Sequence, residues 1–196
     1  TFSFYGNKNF TTGEGGMVVG KKTIINKIRN LKSHNIIREN NKNNFYPGYE
    51  INEFGYNFRL TDIQAAIGIE QLKKINNFNK RRKYLYTHYV KKIKYNNLNV
   101  KIPFTDRKKD KYSYHIFPIL LPKNCDRRKI ITKLFYHGIE TSIHYKPIHK
   151  LKAYKTNARG IKTVDSFYDR ILTLPLYPSL KEKNINYIVK ILKKIL

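Results

Sequence analysis

One lysine of this chain lies where its amine could do chemistry: Lys8, in the segment SFYGNKNFTTGEGGMVV (3–19). A short aromatic stretch precedes it, and Gly13, Gly15 and Gly16 follow in what the composition predicts to be a strained turn. A lysine amine is a weak nucleophile at neutral pH, because its usual pKa is about 10.4. It becomes reactive where desolvation or nearby cations lower that pKa, or where it is held as an imine. The spacing fits an imine-forming lysine and equally an ordinary solvated lysine in a turn.

A single cysteine, Cys125, is another candidate nucleophile. One cysteine excludes an internal disulfide and a cysteine-based zinc site, and we predict no metal site. Cys125 lies in LPKNCDRRK, just before a predicted helix start, where a thiolate would be favoured. No histidine lies nearby in the sequence to activate it, so we interpret it as a partly buried structural thiol.

The formal net charge of +27, from forty basic and thirteen acidic residues, raises the question of an anionic partner. The basic residues are spread over the whole length together with many Asn, Ile and Tyr residues, all of which share A/T-rich codons. We therefore attribute the charge to background composition, while an anionic small substrate fits either interpretation. A basic module that binds nucleic acid is the alternative, non-enzymatic hypothesis, although the sequence contains no RNA- or DNA-binding motif.

The length of 196 residues and a hydrophobic content of 40% allow a core in one domain or in two small ones. No apolar run approaches the roughly 20 residues of a membrane span, and the sequence has no signal-peptide pattern. We therefore expect a cytoplasmic protein without membrane contact. The sequence begins with Thr1 inside an apparent strand, and we expect an upstream part.

The first sixty residues predict two short strands, one helix and one loop. TFSFY (1–5) and GGMVVG (15–20) have the pattern of strands. Residues 21–34 predict an amphipathic helix with four apolar positions at helical spacing: Ile24, Ile25, Ile28 and Leu31. The Asn-rich residues 35–59 lack periodicity and predict a long irregular loop.

A second helix is predicted to begin at LTDIQ, where Thr61 and Gln64 form a capping-box pattern. Asp62 is favourably placed at the positive end of the helix dipole. The pattern continues to about residue 94, as one long helix or two consecutive ones. Three small residues near its start would let another backbone approach closely: Ala65, Ala66 and Gly68.

Beyond about residue 95 the pattern becomes a mixture of strands and helices, which predicts a small α/β lobe. Strands are predicted over 114–121 and 139–145. Helices are predicted over 126–138 and 163–171.

The helix boundaries in this lobe have recognisable capping residues. Asp126 is the predicted N-cap of the helix that Gly138 ends. Ser179 and Glu182 form a second capping-box pattern before a final helix. That helix has an apolar stripe: Ile185, Ile188, Leu192 and Ile195.

Several segments, in order along the chain, resemble the DegT-type sugar aminotransferases, which are pyridoxal-phosphate enzymes of fold type I. SFYGNKNFTTGEGGMVV (3–19) is similar to the segment that carries the family's Schiff-base lysine. GYNFRLTDIQAAIGIEQLKKI (55–75) is similar to its Gly-Tyr-Asn-Tyr-Arg-Met-Thr-Asp-Ile-Gln-Ala-Ala segment. GIETSIHYKPIH (138–149) and LTLPLYPSL (172–180) resemble its C-terminal motifs.

The resemblance implies an α/β fold, the PLP-dependent transferase fold type I in truncated form. Residues 1–75 would be the C-terminal part of the large PLP-binding domain, and residues 76–196 a helix linker and the small C-terminal domain. In the family, three features precede the lysine segment: the acidic partner of the pyridine nitrogen, the ring stacked on the cofactor and the phosphate loop. We therefore expect this chain to be a C-terminal half that, alone, binds the cofactor poorly and does not turn over.

The resemblance also assigns five site residues. Lys8 would carry pyridoxal 5′-phosphate as an imine and then act as the general acid/base. Ser3 would contact the cofactor phosphate, and Asn57 the phosphate of the neighbouring subunit's cofactor, which implies a homodimer with shared active sites. His144 and His149 lie in the segment that lines the sugar-nucleotide side. Each of the last four also has an ordinary interpretation, as a strand serine, a loop-capping asparagine or packed histidines.

The implied activity is transfer of an amino group from glutamate to a nucleotide-linked 4-keto-6-deoxy sugar, for cell-surface polysaccharide biosynthesis. Relatives that dehydrate the sugar carry histidine at the position of Lys8, so the lysine favours transamination. The FYGNK variant looks closest to the C4-aminating members of the perosamine-synthase kind. An inactive remnant kept as a subunit is the alternative within the family.

Overall fold

The computed structural model describes four stretches of the chain: 1–38, 48–105, 112–154 and 161–196. The middle of the loop predicted at 35–59 lies outside these residues. The chain divides into two compact units, Thr1–Ile75 and Asn76–Leu196. Whether these units are the end of a large domain and a small domain remains a prediction.

The first unit consists of short elements joined by turns. Its elements are, in order, β1 (Phe2–Ser3), β2 (Gly16–Met17), α1 (Lys22–Leu31), β3 (Ile37–Arg38), β4 (Tyr49–Glu50) and the first turns of α2 (Asp62–Tyr95). β1 pairs antiparallel with β2, and β3 pairs antiparallel with β4. The two strands and the helix predicted before residue 35 are confirmed, with shorter bounds.

The start of α2 is closed by reciprocal hydrogen bonds. The Thr61 amide donates to Gln64 Oε1 at 3.0 Å, and the Gln64 amide donates to Thr61 Oγ1 at 3.2 Å. The predicted capping box is therefore confirmed. The helix that follows is continuous and ends at Tyr95.

The first unit buries few side chains. Among its described residues only Thr12, Asn35 and Gly68 are buried, and none of these is a large apolar residue. The apolar positions predicted along α1 are half-buried or exposed, with Ile24 exposed over 53% of its surface. Hydrogen-bonded turns and close contacts at glycines therefore organise this unit more than a hydrophobic core does.

In its described residues, the second unit combines four helices with a two-stranded antiparallel sheet. After α2 its elements are β5 (Phe117–Leu120), α3 (Arg127–Tyr136), a 3₁₀ turn (Ile148–Lys150), α4 (Lys162–Tyr168), β6 (Ile171–Leu174) and α5 (Glu182–Ile195). The sheet pairs Phe117 with Leu174 at one end and Leu120 with Ile171 at the other. Within the part of the chain that the structure describes, no helix is both long and apolar enough to cross a membrane.

The hydrophobic core lies in this second unit. Leu85, Tyr89 and Ile93 recur every fourth residue along α2, so one face of the helix is buried. The stripe predicted for α5 joins the same core, with three residues buried and the last partly buried: Ile185, Ile188, Leu192 and Ile195.

The ends of α3 are those that the sequence predicts. The Asp126 side chain accepts hydrogen bonds from the amides of Arg128 and Lys129, at 2.9 and 3.2 Å. Gly138 follows the helix with φ +71°, a conformation that favours glycine.

Two predictions about strands in this unit are wrong. α4 ends at Tyr168, and residues 171–174, assigned in part to that helix, form β6 with all four side chains buried. Periodicity cannot distinguish a short buried apolar run from a helix end. The strand predicted over 139–145 does not form. Ser142 makes an isolated bridge to Thr173, and no ladder continues from it.

The capping box predicted at Ser179 and Glu182 is also wrong. The N-cap position of α5 is Lys181, which makes no side-chain capping bond. The helix thus begins two residues later than a box at Ser179 requires. Glu182 instead forms an ion pair with Arg81 of α2, with 2.7 Å between Oε1 and Nη1.

Candidate active site

Lys8 lies in a loop whose two ends are hydrogen-bonded to each other. The Phe4 amide donates to the Gly15 carbonyl at 2.9 Å, and the Thr12 amide donates to the Phe4 carbonyl at 3.0 Å. Inside the loop, the Lys8 amide donates to the Tyr5 carbonyl at 2.9 Å and closes a turn. The backbone that carries Lys8 is therefore fixed at the base of the loop and again at the lysine.

The side chain of Lys8 is half-buried. Its ammonium takes part in none of the ion pairs or hydrogen bonds between described residues, whereas Lys150 is paired with Asp165 and Asp169. An amine that must form a covalent bond with a ligand has to be unengaged in this way. The environment of Lys8 is compatible with that chemistry.

The glycines after Lys8 are required by the local geometry. Gly13 and Gly15 have φ of +80° and +146°, which side chains rarely adopt. A Cβ on Gly15 would lie 2.6 Å from Thr12 Oγ1, and one on Gly16 would lie 2.9 Å from the Phe2 carbonyl oxygen. The predicted strained turn is confirmed.

The first turns of α2 hold this loop at two points. Gln64 Nε2 donates to the Glu14 carbonyl at 3.0 Å. One turn later, Gly68 leaves room for Thr12 and Phe10, since a Cβ there would lie 3.1 Å from Thr12 Cγ2. The close approach expected at Gly68 occurs, but it is made by side chains and not by a backbone. The sequence does not reveal this second role of Gln64, because its partner lies 50 residues away.

Ser3 is on the same hairpin as Lys8. It pairs with Gly16 across β1 and β2, and its residue is exposed. The Ser3 hydroxyl accepts a long hydrogen bond of 3.4 Å from the Tyr5 amide. This weak contact leaves the hydroxyl available to a ligand.

Asn57 lies in a segment whose backbone is hydrogen-bonded to the end of α1. Its backbone forms an antiparallel bridge with Ser33. On either side, the Tyr56 amide donates to Leu31 O at 2.6 Å and the Phe58 amide to Lys32 O at 2.8 Å. These bonds use carbonyls at the end of α1, which would otherwise lack partners.

Asn57 lines a cleft of about 700 Å³ in the first unit. Gly15 and Gly16 line the same cleft, as do three basic residues: Arg29, Lys32 and Arg59. Lys8 and Ser3 do not line it. The structure therefore places Lys8 and Ser3 on one hairpin, and Asn57 in a cleft that Gly15 and Gly16 of that hairpin also line.

His144 and His149 belong to the second unit, and each has an internal partner. His144 Nδ1 lies 2.9 Å from Thr173 Oγ1, and His149 Nε2 lies 2.9 Å from Asp165 Oδ1. Lys150 Nζ binds the same Asp165 oxygen at 2.9 Å, and this hydrogen bond is the main cause that lowers the pKa of Asp165. One ring nitrogen of each histidine is thus engaged within the protein, so substrate contact by either one stays a prediction.

The DegT/DnrJ/EryC1/StrS aminotransferase family matches residues 1–193. A UDP-4-amino-4,6-dideoxy-N-acetyl-beta-L-altrosamine transaminase of Campylobacter jejuni is 34% identical over 100% of this chain and 51% of its own length. GDP-perosamine synthase of Escherichia coli O157:H7 is 31% identical over 96% of this chain and 49% of its own.

Among solved structures, Helicobacter pylori PseC, an aminotransferase involved in the biosynthesis of pseudoaminic acid, is similar with a TM-score of 0.86. The likeness has 30% sequence identity and covers 99% of this chain and 52% of that chain. The chain thus spans about half the length of the curated relatives it matches.

Proposed function

Since this chain belongs to the DegT/DnrJ/EryC1/StrS aminotransferase family, we propose that it is the lysine-bearing part of a sugar aminotransferase that uses pyridoxal 5′-phosphate. The predicted family is confirmed by the match over residues 1–193, and the predicted fold class by the likeness to PseC. The observation that carries the proposal is the unengaged, half-buried amine of Lys8 in a loop that glycines close.

The proposed substrates are an amino donor, glutamate, and a nucleotide-linked 4-keto-6-deoxy sugar. Support comes from the relatives, one named as a transaminase of a 4-amino-4,6-dideoxy UDP-sugar and one as GDP-perosamine synthase. The product would serve the biosynthesis of a cell-surface polysaccharide, and we place the reaction in the cytoplasm. The sugar and its nucleotide are left open, since these two relatives differ in both.

The side chains of the first unit fit the chemical groups of the cofactor. Its aldehyde needs a primary amine, which Lys8 has unengaged. Its phosphate needs hydrogen-bond donors, and the Ser3 hydroxyl and the Asn57 amide are of the right kind. Ser3 pairs with Gly16 across β1 and β2, and Asn57 lines the same cleft as Gly16.

Asn57 is proposed to serve the cofactor of a second subunit. Support comes from the family resemblance, and Asn57 lines a cleft whose lining includes neither Ser3 nor Lys8. The active enzyme would then be a homodimer with two shared sites. His144 and His149 are proposed to contact the nucleotide sugar, as their place in the segment that lines the sugar-nucleotide side in the family implies.

In the proposed mechanism Lys8 has two tasks. Its Nζ would hold the cofactor by its aldehyde until the amino donor binds. When bound, the cofactor supplies an electron sink that lets the hydrogen on the donor's α-carbon leave as a proton. The freed Lys8 Nζ accepts that proton as a general base and later returns it as a general acid. Ser3 and Asn57 would donate hydrogen bonds that orient the phosphate.

The proposal is tested by locating the lysine that binds the cofactor. The longest gene product containing these residues is incubated with pyridoxal 5′-phosphate, reduced with sodium borohydride and mapped by peptide mass spectrometry. We expect the label on Lys8 in preference to the other lysines, and loss of hydroxylamine-sensitive visible absorbance and of glutamate-dependent sugar amination in Lys8→Ala. Lys21→Ala, at an exposed lysine of the same unit, is the matched control. A label on another lysine, or an even spread, would disprove the proposal.

A further inference from the structure

Gln64 uses both ends of its side-chain amide. Oε1 accepts a hydrogen bond from the Thr61 amide at 3.0 Å, within the capping box of α2. Nε2 donates to the carbonyl of Glu14 at 3.0 Å, fifty residues earlier in the chain. One side chain therefore caps a helix and binds the glycine turn that follows Lys8.

The partners fix which end of the amide points where. The Thr61 backbone N–H can only donate, so it must meet the amide oxygen. The Glu14 backbone carbonyl can only accept, so it must meet the amide nitrogen. Glutamate, the other residue that suits this position of a capping box, would keep the first contact and lose the second.

A second contact secures the same turn on α2. The buried Thr12 hydroxyl donates to the Glu14 carbonyl at 2.6 Å, so that carbonyl accepts from Thr12 and from Gln64. Thr12 also packs against Gly68, which lies one turn after Gln64 on the same face of the helix. These contacts form an anchor of three residues: Thr12, Gln64 and Gly68.

The anchor is connected to Lys8 through the base of the loop. Thr12 donates its amide to Phe4, and Phe4 donates its amide to Gly15, which closes the chain around Lys8. Phe10, inside the loop, packs edge-to-face on Phe4 with 4.7 Å between ring centroids and lies against Gly68. Because the described part of this unit buries no large apolar side chain, these few contacts set the position of the loop.

We propose that Gln64 is a positioning residue for Lys8. Its Nε2 holds the base of the lysine loop on the first turn of α2, so that the amine keeps the placement in which it binds the cofactor aldehyde. This inference rests on the proposed role of Lys8. If Gln64 acted only as a helix cap, its oxygen would matter and its nitrogen would not.

The test distinguishes the contact made by the amide oxygen of Gln64 from the contact made by its amide nitrogen. Gln64→Glu keeps an acceptor for the Thr61 amide and removes the donor to Glu14, whereas Thr61→Ala removes the cap and leaves that donor in place. Amide hydrogen exchange is measured in residues 11–16 and in the first turn of α2. For Gln64→Glu we expect exchange in 11–16 to rise about threefold to tenfold, the effect of one hydrogen bond, with the helix start unchanged. Thr61→Ala should raise exchange in the first turn of α2 and leave exchange in 11–16 unchanged.

The second measurement is borohydride labelling of Lys8 with pyridoxal 5′-phosphate, relative to the other lysines of the same sample. Gln64→Glu should lower this relative labelling by a similar factor, and Thr61→Ala should leave it unchanged. Thr12→Val removes the other donor to Glu14 while keeping the side-chain shape, and it should act in the same direction as Gln64→Glu. This variant decides the matter if the charged one does not fold.

The outcomes distinguish this inference from the function on which it rests. A wild-type protein not labelled at Lys8 would refute the proposed function, whatever the exchange data show. Wild-type labelling at Lys8 that a folded Gln64→Glu does not lower would overturn the positioning role, whatever Thr12→Val does, and leave the proposed function standing. Lower labelling in both variants, with the start of α2 intact, would support it.

Discussion

The hydroxyl of Tyr89 donates a hydrogen bond of 2.9 Å to the carbonyl oxygen of Pro175. Tyr89 is fully buried on α2, and Pro175 directly follows β6. The Tyr89 ring also stacks on Phe117 of β5, with 4.4 Å between centroids. A single side chain thus joins the long helix to both strands of the sheet region.

Tyr89→Phe tests the hydrogen bond without removing the ring. The Pro175 carbonyl would lose its partner in a water-poor environment, so we expect the free energy of unfolding to fall by about 1–2 kcal/mol. Urea denaturation at neutral pH measures this. Tyr187→Phe is the control, since its hydroxyl makes a 3.3 Å bond to His137 O at the surface, and a change within about 0.5 kcal/mol is expected. Equal effects of the two substitutions would contradict the structure.

The burial of the Tyr89 hydroxyl also predicts that the fold becomes less stable at alkaline pH. Burial raises the pKa of Tyr89 well above its usual value of 10.0. The unfolded chain therefore ionises this phenol at a lower pH than the folded chain, and unfolding becomes more favourable as pH rises above about 10. Tyr89→Phe lacks this contribution, so the stability difference between wild type and variant should shrink above that pH. Urea midpoints across this range measure it, and a constant difference would argue against the buried phenol.

Local capping motifs in the sequence predicted helix starts with mixed success, and the reason is physical. Thr61 with Gln64 and Asp126 bond amides only two or three residues away, so the sequence contains all the partners. Glu182 instead forms an ion pair with Arg81, 101 residues earlier, and the helix begins at Glu182. A motif cannot reveal such a competing long-range partner.

Asp126→Ala and Ser179→Ala should therefore differ, although both residues were predicted caps. Loss of Asp126 leaves the amides of Arg128 and Lys129 without an acceptor, and we expect about 1 kcal/mol of destabilisation. Ser179 makes no cap to α5, so its replacement should change stability by less than about 0.5 kcal/mol. Asp126→Ser should restore most of the loss. Denaturant midpoints compare the three variants, and a larger effect at Ser179 would favour the sequence prediction over the structure.

The ion pair between Arg81 and Glu182 predicts that the fold becomes less stable at acidic pH. The hydrogen bond from Arg81 holds the pKa of Glu182 below its usual value of 4.5. Because the folded state has the lower pKa, the stabilisation is present above the unfolded value and is lost as pH falls through the folded value. Glu182→Gln should lower the urea midpoint at neutral pH and lower it less at about pH 3.

The control for this pair is Glu140→Gln, at an exposed glutamate of the same unit. It should leave the midpoint unchanged at both pH values. A Glu182→Gln effect that persists unchanged in acid would show that the carboxylate charge is not what stabilises α5.

The candidate site shows the same limit of sequence reasoning as the helix ends. Lys8 and its glycines form one contiguous segment, and the strained turn follows from residue types alone. The sequence could not show that Gln64 bonds the Glu14 carbonyl, because a backbone acceptor carries no residue signature. Strand β6 was missed because its four buried residues have no polar face to set a period.

Gly55 provides a last prediction, about the segment that carries Asn57. A Cβ on Gly55 would lie 2.4 Å from the Asn35 amide nitrogen and 2.4 Å from the His34 carbonyl carbon, and these backbone atoms cannot move aside cheaply. Gly55→Ala should therefore displace the segment from the end of α1. We expect the amides of Tyr56 and Phe58, bonded there to Leu31 and Lys32, to exchange about tenfold faster or more.

The matched control for this site is Gly6→Ala, in the Lys8 loop, where the nearest atom to an added Cβ is 3.9 Å away. Its substitution should leave exchange at Tyr56 and Phe58 as in the wild type. If Asn57 binds a cofactor phosphate in a partner subunit as proposed, Gly55→Ala should also weaken pyridoxal 5′-phosphate binding without altering which lysine is labelled. Unchanged exchange in Gly55→Ala would mean that close packing on His34 and Asn35 does not hold this segment, and the placement of Asn57 would need another cause.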